Sequence, residues 1–146
     1  MLSQEQIQEI IDEIKRDRRI DGILITGSYI YGTPHDQSDL DVRCITNDGS
    51  DWGELDRLRF GTRIEVFFNP PDKVRLYMQE SKKGGHGDCI HFWANGKIVY
   101  DPNGIVRLLQ KEAQDLWREG PEPGRSWEWR KEKHKKYEGV DWNFIK

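Results

Sequence analysis

Residues 27–42, GSYIYGTPHDQSDLDV, hold the pattern from which the rest of the chain can be read. They follow DGILIT (21–26), an almost continuous apolar run that suits a buried central strand ending at Gly27. SYIYG starts a short helix, and TPHDQS, with Pro34 and Ser38, is loop chemistry. Asp39 and Asp41 then head DLDVRCIT (39–46). On a strand this spacing sends Asp39, Asp41 and Arg43 to one face and Leu40, Val42 and Cys44 to the other. Two carboxylates on one face repel each other and resist burial, so something must compensate them. A divalent cation does so most directly.

Working outward, TRIEVFFN (62–69) reads as a third strand, after a polar stretch NDGSDWGE (47–54). Arg63, Glu65 and Phe67 share one of its faces, opposite Ile64, Val66 and Phe68. If this strand neighbours the Asp-bearing one, Asp39, Asp41 and Glu65 converge on one patch. An all-oxygen ligand set without paired His or Cys favours Mg²⁺ or Mn²⁺ over Zn²⁺. Two acids on one strand can bridge two ions, the arrangement that phosphoryl and nucleotidyl transfer use. Gly27-Ser28, where a strand ends and a helix begins, offers backbone N–H groups and a hydroxyl to a triphosphate. Taken alone, each part has an ordinary structural reading: a solvated strand end, a helix N-cap, or an ion pair of Glu65 with Arg43 or Arg63.

Upstream, SQEQIQEIIDEIKRD (3–17) spaces Ile7, Ile10, Ile11 and Ile14 at helical intervals, with Ser3 as N-cap. Downstream, Pro70-Pro71 opens a helix through about Lys83. DCIHFWANGKIVYD (88–101) carries a hairpin signal, Asn95-Gly96 between two strands. Asp101-Pro102 reads as an N-cap followed by an N1 proline. The helix behind it carries Ile105, Leu108, Leu109, Leu116 and Trp117 on one stripe. GPEPG (120–124) breaks that helix. The pattern predicts an α/β (α+β) domain: a mixed β-sheet with flanking helices.

One domain of 146 residues has room for a single modest core. Its 34% charged residues are offset by apolar runs dense enough to exclude global disorder, and a net charge of −3 argues against a general nucleic-acid coat protein. No apolar stretch approaches the length of a membrane span and no signal-peptide pattern opens the chain, so a cytoplasmic location is expected. Cys44 and Cys89 are expected to be reduced, buried thiols. His86, Cys89 and His91 in HGDCIH offer only three zinc ligands, with no spacing that completes a structural site. Residues 125–138 hold six Lys or Arg against three Glu, beside Trp127 and Trp129. This segment reads as a solvated face or as a surface for an acceptor or partner.

The Gly-Ser turn, the inner Gly32, Ser38-Asp39-x-Asp41 and the later Glu65 flanked by hydrophobics together resemble the minimal nucleotidyltransferases of the DNA polymerase β superfamily. The resemblance covers residues 20–68 well and 88–118 loosely. It implies the polymerase β-like fold and transfer of a nucleoside monophosphate, most often AMP, from an NTP such as ATP to a hydroxyl, with release of pyrophosphate. Gly27, Ser28 and Ser38 would bind nucleotide. Asp39, Asp41 and Glu65 would be the catalytic and metal-binding residues, holding two Mg²⁺ or Mn²⁺ ions with the NTP. Residues 1–119 would form the catalytic domain, and 120–146 a basic, aromatic helical extension packed on it. The resemblance leaves the acceptor open among small molecule, protein and RNA, and admits an antitoxin-like module that binds or modifies a partner protein, or a homodimer. Tyr29 and Tyr31, bulkier than the small residues often found after Gly-Ser, would narrow the nucleotide pocket.

Overall fold

The computed structural model describes residues 1–31, 38–84 and 87–121. The expectations placed on Gly32, Pro34, His86 and the extension with Trp127 and Trp129 lie outside those residues. The order of elements is α1 (Gln4–Lys15), β1 (Ile20–Thr26), α2 (Ser28–Tyr31), β2 (Leu40–Thr46), β3 (Gly53–Arg59), β4 (Thr62–Asn69), α3 (Pro71–Gly84), α4 (Asp88–Asn95), β5 (Lys97–Tyr100) and α5 (Ile105–Glu119). Five strands form one mixed sheet in the order β3-β4-β2-β1-β5, with β2 and β4 parallel and the other pairs antiparallel.

Helix α1 begins in a reciprocal capping box. The Ser3 hydroxyl accepts from Gln6 N–H, and the Gln6 side chain accepts from Ser3 N–H. Its buried Ile10 and Ile11 lie on one face of the sheet, against Ile23, Ile25, Val42 and Val66. The opposite face carries Leu24 and Ile45 under Val74 and Met78 of α3, Ile90 and Trp93 of α4, and Leu109 and Ala113 of α5. Strand alternation therefore divides one sheet between two apolar clusters.

Three expectations are corrected. Gly53–Arg59, whose first two residues belong to the polar stretch 47–54, is the edge strand β3. It joins β4 through a two-residue turn in which Phe60 (φ 52°) and Gly61 (φ 75°) both take the left-handed conformation that twist-matched hairpins need. Every residue of β3 from Gly53 to Leu58 is exposed, so no alternation marks it in the sequence.

The second correction removes the hairpin expected at 88–101. Asp88–Asn95 is the helix α4, and only Lys97–Tyr100 is a strand, paired with β1. Ile90, His91, Trp93 and Ala94 are the buried set, a spacing that one helix face satisfies and alternation would split between two faces. Gly96 has φ −64°, so it is not a hairpin glycine. Its role is steric: a Cβ there would stand 2.6 Å from the Leu24 side chain.

Third, α5 starts at Ile105 rather than at Pro102. Asp101 still caps it, since its carboxylate accepts from Val106 N–H and Arg107 N–H across a turn that ends at Gly104 (φ 79°). The buried stripe is Val106, Leu109, Ala113 and Trp117, with Ile105 and Leu116 partly covered and Leu108 exposed. Gln110 and Gln114 donate to the backbone carbonyls of Trp93, Gly96 and Ala94, which ties α5 to the end of α4.

Candidate active site

Register places the acids. Asp41 on β2 lies beside Thr26 of β1 and Glu65 of β4, and Glu65 lies beside Asp56 of β3. Thr26, Asp41, Glu65 and Asp56 thus form a row across four strands, perpendicular to the chains. On one side of this row, Arg63 reaches Asp39. On the other, Leu24, Arg43, Phe67 and Glu54 form the next row. The neighbouring-strand condition set for Asp39, Asp41 and Glu65 is therefore met by a parallel pair, which keeps the acids of β2 and β4 side by side.

Arg63 compensates much of this charge. One terminal nitrogen lies 3.3 Å from Asp39, and the other lies 2.6 Å from Asp56 and 2.9 Å from Glu65. Asp41 is outside that fork. Its Oδ1 is buried without a hydrogen-bond partner among the described residues. Burial, followed by a hydrogen bond and charge from Glu65, pushes the Asp41 carboxyl up to about 7, against the opposing charge of Arg43. An orphaned, desolvated carboxylate oxygen within an acid row is what a hard cation would satisfy, and the residues present fit one.

Asp56 and Glu54 were not anticipated as part of this patch. Oxygens of Glu54, Asp56 and Glu65 lie within 4.8 Å of one another, whereas Asp39 and Asp41 stand outside that tight group. The available signal was their i, i+2 spacing, the same as that of Asp39 and Asp41, on a segment without apolar alternation.

At the end of β1, Gly27 adopts φ +87°, and a Cβ there would lie 2.7 Å from Asp41 Oδ2. Any side chain would crowd the carboxylate, so the turn is glycine for access as well as for its dihedral. Ser28 follows at the start of α2, and Ser38 is buried just before β2. The Tyr29 expectation is corrected: its hydroxyl accepts from Leu2 N–H and its ring packs on the α1-side cluster, so it does not narrow a nucleotide pocket.

Arg43 lies between two rings, its guanidinium carbon 4.5 Å from the Phe67 centroid and 4.8 Å from that of Phe92, and its Nε donates to Thr26 at 3.2 Å. Burial lowers its pKa, partly offset by the charges around it, Asp41, Asp88 and Glu65 among them. Cys44 is buried and Cys89 half-buried, and neither is in a disulfide. His91 is fully buried within α4, with its ring edge-on to Trp117 at 5.3 Å, which is a packing role. Among the described residues no helix is long and apolar enough to cross a membrane.

Comparison with known proteins agrees with the geometry. The family model described as nucleotidyltransferase domain matches residues 7–100. The sequence matches no curated protein. Among solved structures, a nucleotidyltransferase-like protein from Exiguobacterium sibiricum superposes with a TM-score of 0.57 at 16% identity. That similarity covers 75% of this chain and only 38% of the other. A toxin-antitoxin structure with AMP-PNP is 13% identical, with a TM-score of 0.46 over 92% of this chain and 94% of that one. The family match runs from within α1 through β5, including the row of acids and the Gly27-Ser28 turn, and on that span the chain belongs to the nucleotidyltransferase domain family.

Proposed function

We propose that this chain is a metal-dependent nucleotidyltransferase that moves a nucleoside monophosphate, AMP by the resemblance, from an NTP to a hydroxyl acceptor and releases pyrophosphate. The observation that carries the reading is the row Thr26–Asp41–Glu65–Asp56, with the buried, unpartnered Oδ1 of Asp41 beside Gly27. Asp39, Asp41 and Glu65 would hold two Mg²⁺ or Mn²⁺ ions, which would neutralise triphosphate charge and polarise the α-phosphate. The Gly27-Ser28 turn, with Ser38 behind it, would orient the β- and γ-phosphates. Glu65 would complete the acceptor side or take the proton of the attacking hydroxyl. The fixed register of two parallel strands holds these groups before substrate arrives, so catalysis is mainly positioning. Residues 1–119 would be the catalytic domain, and 120–146 an extension that selects the acceptor.

The test is incubation of the protein with α-labelled ATP, Mg²⁺ and cell extract. The expected result is a labelled acceptor with wild type and none with Asp39→Asn or Asp41→Asn. Near-normal labelling by either variant would refute the site. A second reading, a module acting mainly by binding a partner protein, is favoured by Leu58 and Phe60, which are 73% and 45% exposed at the tip of the β3–β4 hairpin. It predicts that Leu58→Ser with Phe60→Ser abolishes partner capture and leaves nucleotide transfer intact.

A further inference from the structure

A cavity of about 540 Å³ opens beside the acid row, between the β3-β4-β2 side of the sheet and helices α3 and α4. Its sheet-side wall includes the next row along, Arg43, Phe67 and Glu54, and its helix wall includes Tyr77, Glu80 and Phe92. The volume falls within the ~300–1,000 Å³ of small-ligand sites. Its position relative to the acids is set by reaction geometry. Displacement at the α-phosphorus requires the incoming oxygen opposite the departing pyrophosphate. With the β- and γ-phosphates at Gly27-Ser28, on the Asp39 side of the row, the incoming hydroxyl must come from the Arg43 side. That side is this cavity.

Its chemistry selects a charge. Among the described lining residues, Glu54, Glu80 and Asp88 stand against one cation, Arg43. Arg43 is already covered by two rings, bonded to Thr26, and opposed by Asp41, Asp88 and Glu65. Phe67 and Phe92 already stand against Arg43, and Tyr77 against Lys73, so the rings and carboxylates of this wall form an environment that accepts positive charge. An anionic acceptor or a nucleic-acid backbone would meet repulsion there instead.

Resting on the transferase reading above, we propose that this cavity is the acceptor subsite and that the acceptor is a small alcohol with an apolar body and a protonated amine. In the transfer the alcohol oxygen forms a bond to the α-phosphorus while the bond to the bridging oxygen breaks. Pyrophosphate leaves with that electron pair, and the hydroxyl proton passes to Glu65 or solvent.

Three probes that share a phenyl ring and a hydroxyl but differ in charge test this: phenylethanolamine, phenylethanol and phenyllactate. Each is titrated into the full chain by ligand-detected NMR, with and without Mg-ATP. Phenylethanolamine is expected to bind at least about tenfold tighter than the other two. Glu80→Lys, an exposed substitution, is expected to erase that preference with Tm and Mg-ATP affinity unchanged. Equal binding of the three probes, tighter binding of phenyllactate, or displacement of the amine by Mg-ATP would each overturn the assignment. Amine binding needs no nucleotide, so the two readings fail separately: loss of Mg-ATP binding would sink the transferase reading, and loss of charge preference only the cavity assignment.

Discussion

On the α1 side of the sheet, Ile23, Ile25, Val42 and Val66 meet Ile10 and Ile11, and all six are buried. On the other side, Leu24 and Ile45 are covered just as fully by α3, α4 and α5, yet the same strands place Asp41 and Glu65 a few residues away. Both faces come from the same alternation, so the difference lies in what each is made to tolerate. One face gains free energy by excluding water from hydrocarbon. The other has its stability reduced by a desolvated carboxylate, which under the proposed function a cation and phosphates would compensate. Removing the desolvated carboxylate should therefore raise metal-free stability, whereas truncating the apolar cluster should lower it.

The largest effect is expected at the acids. Asp41→Asn should lower nucleotide transfer by about a thousandfold or more, as loss of a group acting on transition-state charge does. The same variant should melt higher than wild type without metal, since a buried repulsive carboxylate is gone. Kinetics with labelled ATP and melting in chelator measure the two. A lower metal-free Tm would contradict the account of Asp41 as an uncompensated charge. In the apolar cluster of the α1 side the expected sign is reversed. Ile23, with no exposed surface, should cost about 2–5 kcal/mol when changed to Ala, because a cavity is left among residues that cannot collapse onto it. Urea titration of the metal-free protein checks it, and a cost under ~1 kcal/mol would mean that this face is not the rigid one.

A pH series sharpens the same contrast. Asp41 titrates at about 7 in the folded chain against an ordinary 3.8. Between those values the folded state holds a proton that the unfolded chain has released, so stability falls as pH rises across the window and levels off above it. The fall should be on the order of 1–2 kcal/mol once partial solvent access is allowed for. Asp41→Asn should flatten it and Ile23→Ala should leave it in place. A metal-free Tm that rises between pH 4 and 7 with the same slope in wild type and Asp41→Asn would remove Asp41 from the explanation.

How much of this was legible in the sequence follows from burial. Strands β1, β2 and β4 are buried on at least one face, so their patterns name the strands, and the spacing of Asp39 and Asp41 names their shared face. The chance that Glu65 joins them was also readable, although the parallel register that realises it was not. Strand β3 escaped because an edge strand with charged side chains on both faces has no pattern to read, and those charges suit an unpaired edge. Asp56 and Glu54 enter the site through the Phe60-Gly61 turn, which sets their register from outside the strand. Asn95-Gly96 misled for the converse reason. It carries the hairpin dipeptide, but the glycine serves a close approach to Leu24 at the end of a helix. Arg63, one of two arginines named as partners for Glu65, proved to be the fork that joins three acids.

The smallest expected effect separates binding from chemistry within the open face. Ser28 lies next to Gly27 at the start of α2, apart from the acid row, so its contribution should be one hydrogen bond to a phosphate oxygen. Ser28→Ala should weaken Mg-bound non-hydrolysable ATP by ~1 kcal/mol, about fivefold, with Tm unchanged. Glu65→Gln should do the reverse. Asp39 and Asp41 would still hold the nucleotide-side ion, so affinity should stay near wild type while transfer is lost. Calorimetric titration of both variants, beside single-turnover transfer, places each residue on one axis. If Glu65→Gln lost nucleotide affinity as fully as Asp41→Asn, the acids would act as a single nucleotide-binding unit. The assignment of Glu65 to the acceptor side would then be wrong.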